Sequence, residues 1–209
     1  MSSTGRLTGS TIRVLASGIG IAADAAIGVA MARAGTRVAS ASVTAASAGA
    51  TLVVISELGH RPLFGRNAPR RRGESLRSGA AAVGWSGLAW SAATLAEDRN
   101  LRKAPLGPAL AALQGLTLVT GSSWPNRLAS GAAQIATGLI LSGAAARHDD
   151  PTGGAIALTS SALIAGARVT GLANHNAVRT VSSVLDASAR VGLAVAAARL
   201  STVGDESLF

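Results

Sequence analysis

Apolar positions in this chain come in blocks about twenty residues long, separated by short polar segments that carry most of the arginines. The blocks are roughly 14–33, 38–56, 79–96, 105–122, 128–146, 154–172 and 180–199. Each is built mainly from Ala, Gly, Val, Ile, Leu, Ser and Thr. A helix of about twenty apolar residues spans the hydrocarbon core of a bilayer. The pattern therefore predicts an all-α, polytopic transmembrane helix bundle of about seven spans, or six if one marginal block fails. The first block is the strongest, with a mean hydropathy of about 1.8 per residue from Val14 to Ala32. The breaks have ordinary chemistry. Pro105 and Pro108 sit in a first helical turn, where a missing N–H costs little. Asp149-Asp150-Pro151-Thr152-Gly153-Gly154 reads as a turn, and His148-Asp149-Asp150 as a solvated one.

Composition strengthens this picture. Charged residues make up only 14% of the 209 and aromatics 2%, with no Tyr. A soluble domain carries about 25% charged residues and leans on aromatic bulk for its core. Close packing through small residues is the alternative, and it is a habit of membrane helices. The missing aromatic belt and the marginal blocks leave open a soluble helical protein. There is no Cys, which excludes disulfides, thiolate metal sites and cysteine nucleophiles.

The net charge of +9 comes from 19 basic residues, nearly all Arg. Most lie between the apolar blocks, so nucleic acid is a poor fit as a partner, and cytoplasmic loops fit better. The longest polar segment, 57–77, sets Arg61, Arg66, Arg70, Arg71, Arg72 and Arg77 against Glu57 and Glu74. The positive-inside rule places it in the cytoplasm of a bacterial inner membrane, with the N-terminus on the same side. The same arginines could contact anionic lipid head groups. Arg6 and Arg13 ahead of the first block, with Ala30-Met31-Ala32 at its end, resemble a cleavable signal. Asp24 inside the block argues against that.

Leu15-Ala16-Ser17-Gly18 opens the first block and Leu128-Ala129-Ser130-Gly131 the fifth. Each block ends in Arg, and the block that follows each ends near a His, His60 or His175. The echo suggests one membrane domain made of two three-helix units, 14–96 and 128–199, joined by 105–122. A membrane-spanning connector would make the units parallel, and a non-spanning one would make them inverted. Residues 124–176 carry a family resemblance too. Leu128-Ala-Ser-Gly-Ala-Ala-Gln-Ile-Ala-Thr-Gly-Leu-Ile-Leu141 and the block ending Leu172-Ala173-Asn174 resemble the second and third helices of DoxX-like proteins. Those are small four-helix integral membrane proteins, so the resemblance implies a small membrane helix bundle. Gln134 stands where a Glu is common in them, and no Pro precedes Ala173-Asn174. The resemblance therefore assigns no functional residue.

A few polar residues fall inside the blocks, where charge is expensive and is a candidate functional feature. Asp24 shares a helical face with Ser17, Gly20 and Gly28, so another helix can come close to it. Its expected partners are Arg168, Arg190 or Gln134. Gln134 lies on a similar stripe with Ser130, Gly131, Thr137 and Gly138, suited to interhelical hydrogen bonding. Asp186 and Arg190 are four residues apart, acid first, the favourable helical order. Arg168 is near enough to a block end to snorkel.

These five residues, Asp24, Gln134, Arg168, Asp186 and Arg190, form the candidate substrate- or ion-binding set. No catalytic constellation, phosphate loop or metal motif is present in the sequence, and no cofactor is expected. His60 and His175 make a weak metal pair. The functional expectation is a membrane subunit or scaffold without a catalytic site, with a homo-oligomer or another membrane protein as partner. The alternative is a small transporter or channel using Asp24 and Gln134.

Overall fold

The structure, a computed structural model, describes residues 8–36, 40–58, 70–96, 124–171 and 175–206. These residues are all-α: α1 (Gly9–Gly35), α2 (Ser40–Leu58), α3 (Arg70–Leu95), α4 (Trp124–Arg147), α5 (Pro151–Thr170) and α6 (Asn176–Glu206). The block 105–122 and His60 lie outside the described residues, so the expectation of seven spans concerns one segment that they do not cover. Four of the six helices are long and apolar enough to cross a membrane: α1, α2, α4 over Pro125–Arg147, and α6 over Asn176–Thr202. The polar segment 57–77 is not one loop. Glu57 belongs to the last turn of α2, and α3 starts at Arg70.

Helix ends follow local chemistry. Thr8 caps α1, its hydroxyl accepting from Thr11 N at 3.4 Å. α4 ends with Asp149 in the left-handed region (φ 52°) and Asp150 N–H donating to the Ala145 carbonyl at 2.9 Å, a Schellman-type termination. Asp150 then caps α5, accepting from Gly153 N at 3.0 Å, and Pro151 occupies the first turn. Arg199 of α6 reaches back to the same carboxylate, Nε to Oδ2 at 3.0 Å and Nη2 to Oδ1 at 2.7 Å. This corrects the expectation of a solvated turn: Asp150 is buried, and its carboxylate joins the start of α5 to α6. The hydrogen bonds from Arg199 and then from Gly153 N–H hold its pKa below the ordinary aspartate value.

The helices close into a ring in chain order, with α6 returning to α1 and lesser contacts of α1 with α3 and of α4 with α6. Consecutive helices within 9–95 and within 124–206 run antiparallel. For example, Ser42 of α2 meets Ser91 of α3, and Gly192 of α6 closes on Ser160 of α5. Across the two joints the helices run parallel. Glu74 and Arg127 pair at the starts of α3 and α4, and Arg147 donates to the Ala96 carbonyl at their ends. Gly9 faces Thr180 and Gly20 faces Arg190 along α1 and α6. Thus α1, α3, α4 and α6 point one way and form the middle, flanked by α2 and α5 pointing the other way.

Small residues set the spacing. A methyl group added to Gly49 of α2 would meet the Gly84 carbonyl of α3 at 2.7 Å, so these two backbones touch. Gly28 lies against Ala46 and Ala50 in the same manner. Larger side chains fill the centre: Ile27, Met31, Trp85, Leu88, Leu141, Ile164 and Leu193 are all buried. Many hydroxyls bond back within their own helix, among them Thr51 to the Ser47 carbonyl, Ser86 to Ala82 and Thr137 to Ala133. That habit satisfies the donor where no water is at hand. Val14, Ile19, Val29, Ile55, Leu139 and Leu158 point outward around the ring.

The two halves bury their residues in the same register. In α2 the buried residues are Ser42, Ala46, Gly49, Ala50, Val53 and Ser56. In α5 they are Gly153, Ala157, Ser160, Ser161, Ile164 and Ala167, with identical spacing. Gly20, Asp24, Ile27, Gly28, Met31 and Ala34 of α1 match Ser130, Gln134, Thr137, Gly138, Leu141 and Ala144 of α4. Ala82, Trp85, Leu88 and Ala89 of α3 match Arg190, Leu193, Ala196 and Ala197 of α6. Contacts agree with the pairing: Gly138 closes on Ala157 and Ser161 as Gly28 does on Ala46 and Ala50. The Leu-Ala-Ser-Gly echo is out of register with this packing. It would pair Asp24 with Thr137, whereas the packing pairs Asp24 with Gln134.

Two stability outcomes follow. Gly49→Ala forces two backbones apart and should cost about 1–3 kcal/mol, lowering the melting temperature in detergent. Gly143→Ala, with no atom within 4 Å of the new methyl group, should be neutral or stabilising. Equal melting points for the two variants would contradict the close crossing. Asp150→Ala should cost about 1 kcal/mol for the lost cap. The carboxylate's contribution is complete at neutral pH. It is lost as acid takes the pH below the ordinary aspartate value of about 3.9 and on through the lower folded value. Thermal melts of wild type and Asp150→Ala between neutral and acid pH should therefore converge only at the acid end.

Candidate functional site

All five candidate residues meet in one network, with Arg168 at its exposed edge. At its centre is Arg190 of α6, a side chain only 7% exposed. Its Nη1 donates to Asp24 Oδ2 of α1 at 2.7 Å. Its Nη2 pairs with Asp186 Oδ2 at 2.6 Å, one turn earlier on α6. Glu57 Oε1 at the end of α2 accepts from Nη1 and Nη2 at 3.3 and 3.2 Å. Three carboxylates from three helices thus share one guanidinium. The Arg190 side chain packs along α1 beside Gly20.

The other half contributes the second part. Arg168 of α5 donates through Nη2 to Gln134 Oε1 of α4. The same nitrogen is 3.5 Å from Asp186 Oδ1, a looser ion pair that joins α5 to the Arg190 cluster on α6. The stem of Arg168 packs beside Gly131. Among the described residues, Arg168 Nε and Nη1 have no hydrogen-bond partner. Asp24 Oδ1 and Arg190 Nε have none either, although both are buried.

Asp24 is fully buried and pairs with Arg190, one of the three partners expected from sequence. Asp186 and Arg190 form the expected pair on one helix, and Gln134 bridges helices through Arg168. Glu57 was missed as a member. It follows the last apolar residue of its block and read as the start of a loop. The signal that could have found it is its spacing from Val53 and Ser56, which continues the buried face of α2.

A cavity of about 170 Å³ opens beside the network, toward the ends where α2 and α5 finish and α3 and α4 begin. Glu57, Gln134, Arg168 and Arg190 form its inner wall, and Glu74 and Arg127 stand at its rim. The rim pair is 3.7 Å apart and largely exposed. Polar side chains therefore lead from the bundle end to Asp24 at mid-helix. Among the described residues no cluster of three or more His, Cys, Asp or Glu has metal-holding geometry.

No protein-family model matches this chain, and no curated protein or solved structure does. The likeness to DoxX-like proteins rests on its own residues alone.

Removing the shared cation leaves three buried or half-buried carboxylates facing one another. Breaking a buried pair from one side costs about 3–5 kcal/mol, so Arg190→Met should unfold the bundle or lower its melting temperature sharply. Asp24→Asn keeps Glu57 and Asp186 on the guanidinium and should remain folded. Adding Asp24→Asn, Glu57→Gln and Asp186→Asn to Arg190→Met should recover much of the loss. Thermal melts in nanodiscs check this, and an Arg190→Met variant as stable as wild type would refute the shared-cation geometry.

Proposed function

We propose that this chain is a small multi-pass protein of the cell membrane and carries a small charged solute through the centre of its bundle. One observation carries the reading. Ionisable and amide side chains from α1, α2, α4, α5 and α6 converge beside a cavity, where two halves of equal packing register meet. Intramembrane charge is costly and is kept where a solute or ion path needs it. Parallel repeats with the binding site at their interface are one of the known architectures of secondary transporters.

The two units are parallel repeats related by an axis along the bundle. α3 ends and α4 begins at opposite ends of the bundle, about 30 Å apart at 1.5 Å per helical residue. The connecting chain has to make that return, which supports 105–122 as the seventh span. The arginines of 57–77 place the cavity mouth on the cytoplasmic side, with the N-terminus there too. No catalytic role is assigned, because no residue in the network is a nucleophile with a base beside it.

A second reading has its own support. The Asp24–Arg190 pair is fully buried and closed on itself, as a structural lock in a membrane subunit or scaffold would be. Transport separates the two. Proteoliposomes holding the wild type should take up at least one member of a labelled panel of small amino acids, organic acids and amines. Asp24→Asn should fold and take up less. Failure of every member to move would favour the scaffold.

Topology is checked independently. The chain lacks Cys, so Asn67→Cys adds the sole thiol. It should react with an impermeant reagent in inside-out vesicles and stay protected in intact cells. Labelling from outside, or recovery of the protein in the soluble fraction after an alkaline carbonate wash, would overturn the reading.

A further inference from the structure

The equal register of the two halves puts a meaning on the cavity. In the first half, Asp24 and Glu57 form an acidic niche, and Arg190 of the adjoining helix fills it. The matching positions of the second half are Gln134 for Asp24 and Arg168 for Glu57. The matching position for Arg190 is Ala82, on α3. The acid that points into the niche has become a cation, and the long side chain that fills it has become a methyl group. Asp186, which flanks Arg190, matches Ser78, and Ser78 lines the cavity together with Gln134 and Arg168. The 170 Å³ cavity is thus lined by the positions that match Asp24, Glu57 and Asp186, next to Ala81 of α3, with Arg190 in its wall as well.

The charges around it define what fits. Arg77, Arg127, Arg168 and Arg190 line the cavity, as do Glu57 and Glu74, and Asp24 and Asp186 stand behind Arg190. Among the described residues these cations and carboxylates are equal in number, so the site balances a ligand without net charge. Among the described residues Arg168 offers Nε and Nη1, and Arg127 makes a long contact with Glu74 at 3.7 Å. A guanidinium with free N–H groups is the side chain best shaped for a carboxylate. Glu57 holds Arg190 through Oε1 and has a second oxygen for a cationic group. The cavity, at about 170 Å³, is small, which restricts it to a small ligand.

We infer that the cavity binds a small zwitterion of the amino-acid class, its carboxylate on Arg168 and Arg127 and its ammonium toward Glu57 and Glu74. This specifies the solute in the carrier reading of the same site and rests on it for any role in transport. A doubly charged anion such as phosphate is disfavoured by the carboxylates of the wall.

The test is binding to the full chain in nanodiscs by calorimetry and thermal shift, with glycine, L-alanine, acetate, methylammonium and inorganic phosphate as probes. Glycine or L-alanine should bind saturably and raise the melting temperature, with acetate and methylammonium at least ten-fold weaker. Arg168→Lys, which keeps the charge and loses the fork, should weaken binding ten-fold or more. Ala81→Leu pushes a side chain into the cavity from α3 and should abolish binding while the protein still melts cooperatively. It decides the matter if Arg168→Lys fails to fold.

Absence of zwitterion binding to folded wild type would overturn the inference. So would binding unchanged in Ala81→Leu, or acetate or phosphate binding as tightly as glycine. Uptake of a solute of another class alongside such a failure would leave the carrier reading standing. Glycine binding without uptake of any panel member would do the reverse.

Discussion

The bundle depends on one buried guanidinium. Arg190 is almost wholly buried and holds Asp24, Glu57 and Asp186 at 2.6–3.2 Å. Only the Asp186 contact belongs to its own helix. The other two fix α6 against α1 and α2, so the charge network sets the way in which the last helix returns to the first and the ring closes. In a low-dielectric interior each of these groups is costly alone, and the shared guanidinium offsets that cost for the carboxylates gathered on it.

Around that network, packing is done by absence of bulk. Gly49 against Gly84 and Gly28 against Ala50 bring backbones into direct contact, which lets a chain with few aromatics still exclude space from its centre. The second half repeats the geometry with altered chemistry. Ser160 and Ser161 stand where Gly49 and Ala50 do. Gly153 beside Arg199 stands where Ser42 pairs with Ser91. Equal spacing with unequal side chains turns one half into a closed ion pair and the other into an open cavity. Arg168 lies 3.5 Å from Asp186, which holds Arg190, so the cavity wall is joined to the closed ion cluster. A solute charge at Arg168 would compete with Asp186 and so reach Arg190.

Much of this was legible in the sequence for a physical reason. An apolar block of twenty residues has one low-energy form in lipid, so α1, α2, α4, α5 and α6 appear close to their expected places. α3 was underestimated at its start, because Arg70–Arg72 continue a helix beyond the apolar block and hydropathy is blind to that. Asp24, Gln134, Arg168, Asp186 and Arg190 were identifiable because charge and amide groups are rare in such blocks. Their choice of partner was not, since Asp24 had three candidates and only the ring closure brings Arg190 to it. Glu57 and Asp150 escaped because they stand at helix ends, where sequence alone does not separate a solvated residue from a buried cap. The repeat announced itself through a four-residue match nearly one helical turn away from the true register. With Ala, Gly and Ser so abundant, letters recur by chance, whereas buried faces recur through packing.

The central claim is that Arg190 is shared by helices distant in sequence. Solid-state nuclear magnetic resonance of the protein in lipid bilayers measures it directly, through dipolar couplings between labelled Arg190 guanidinium nitrogens and side-chain carboxyl carbons. The account predicts short-range couplings to Asp24 and Glu57 as well as to Asp186. A coupling to Asp186 alone is what an isolated helix would give, and it would contradict the account.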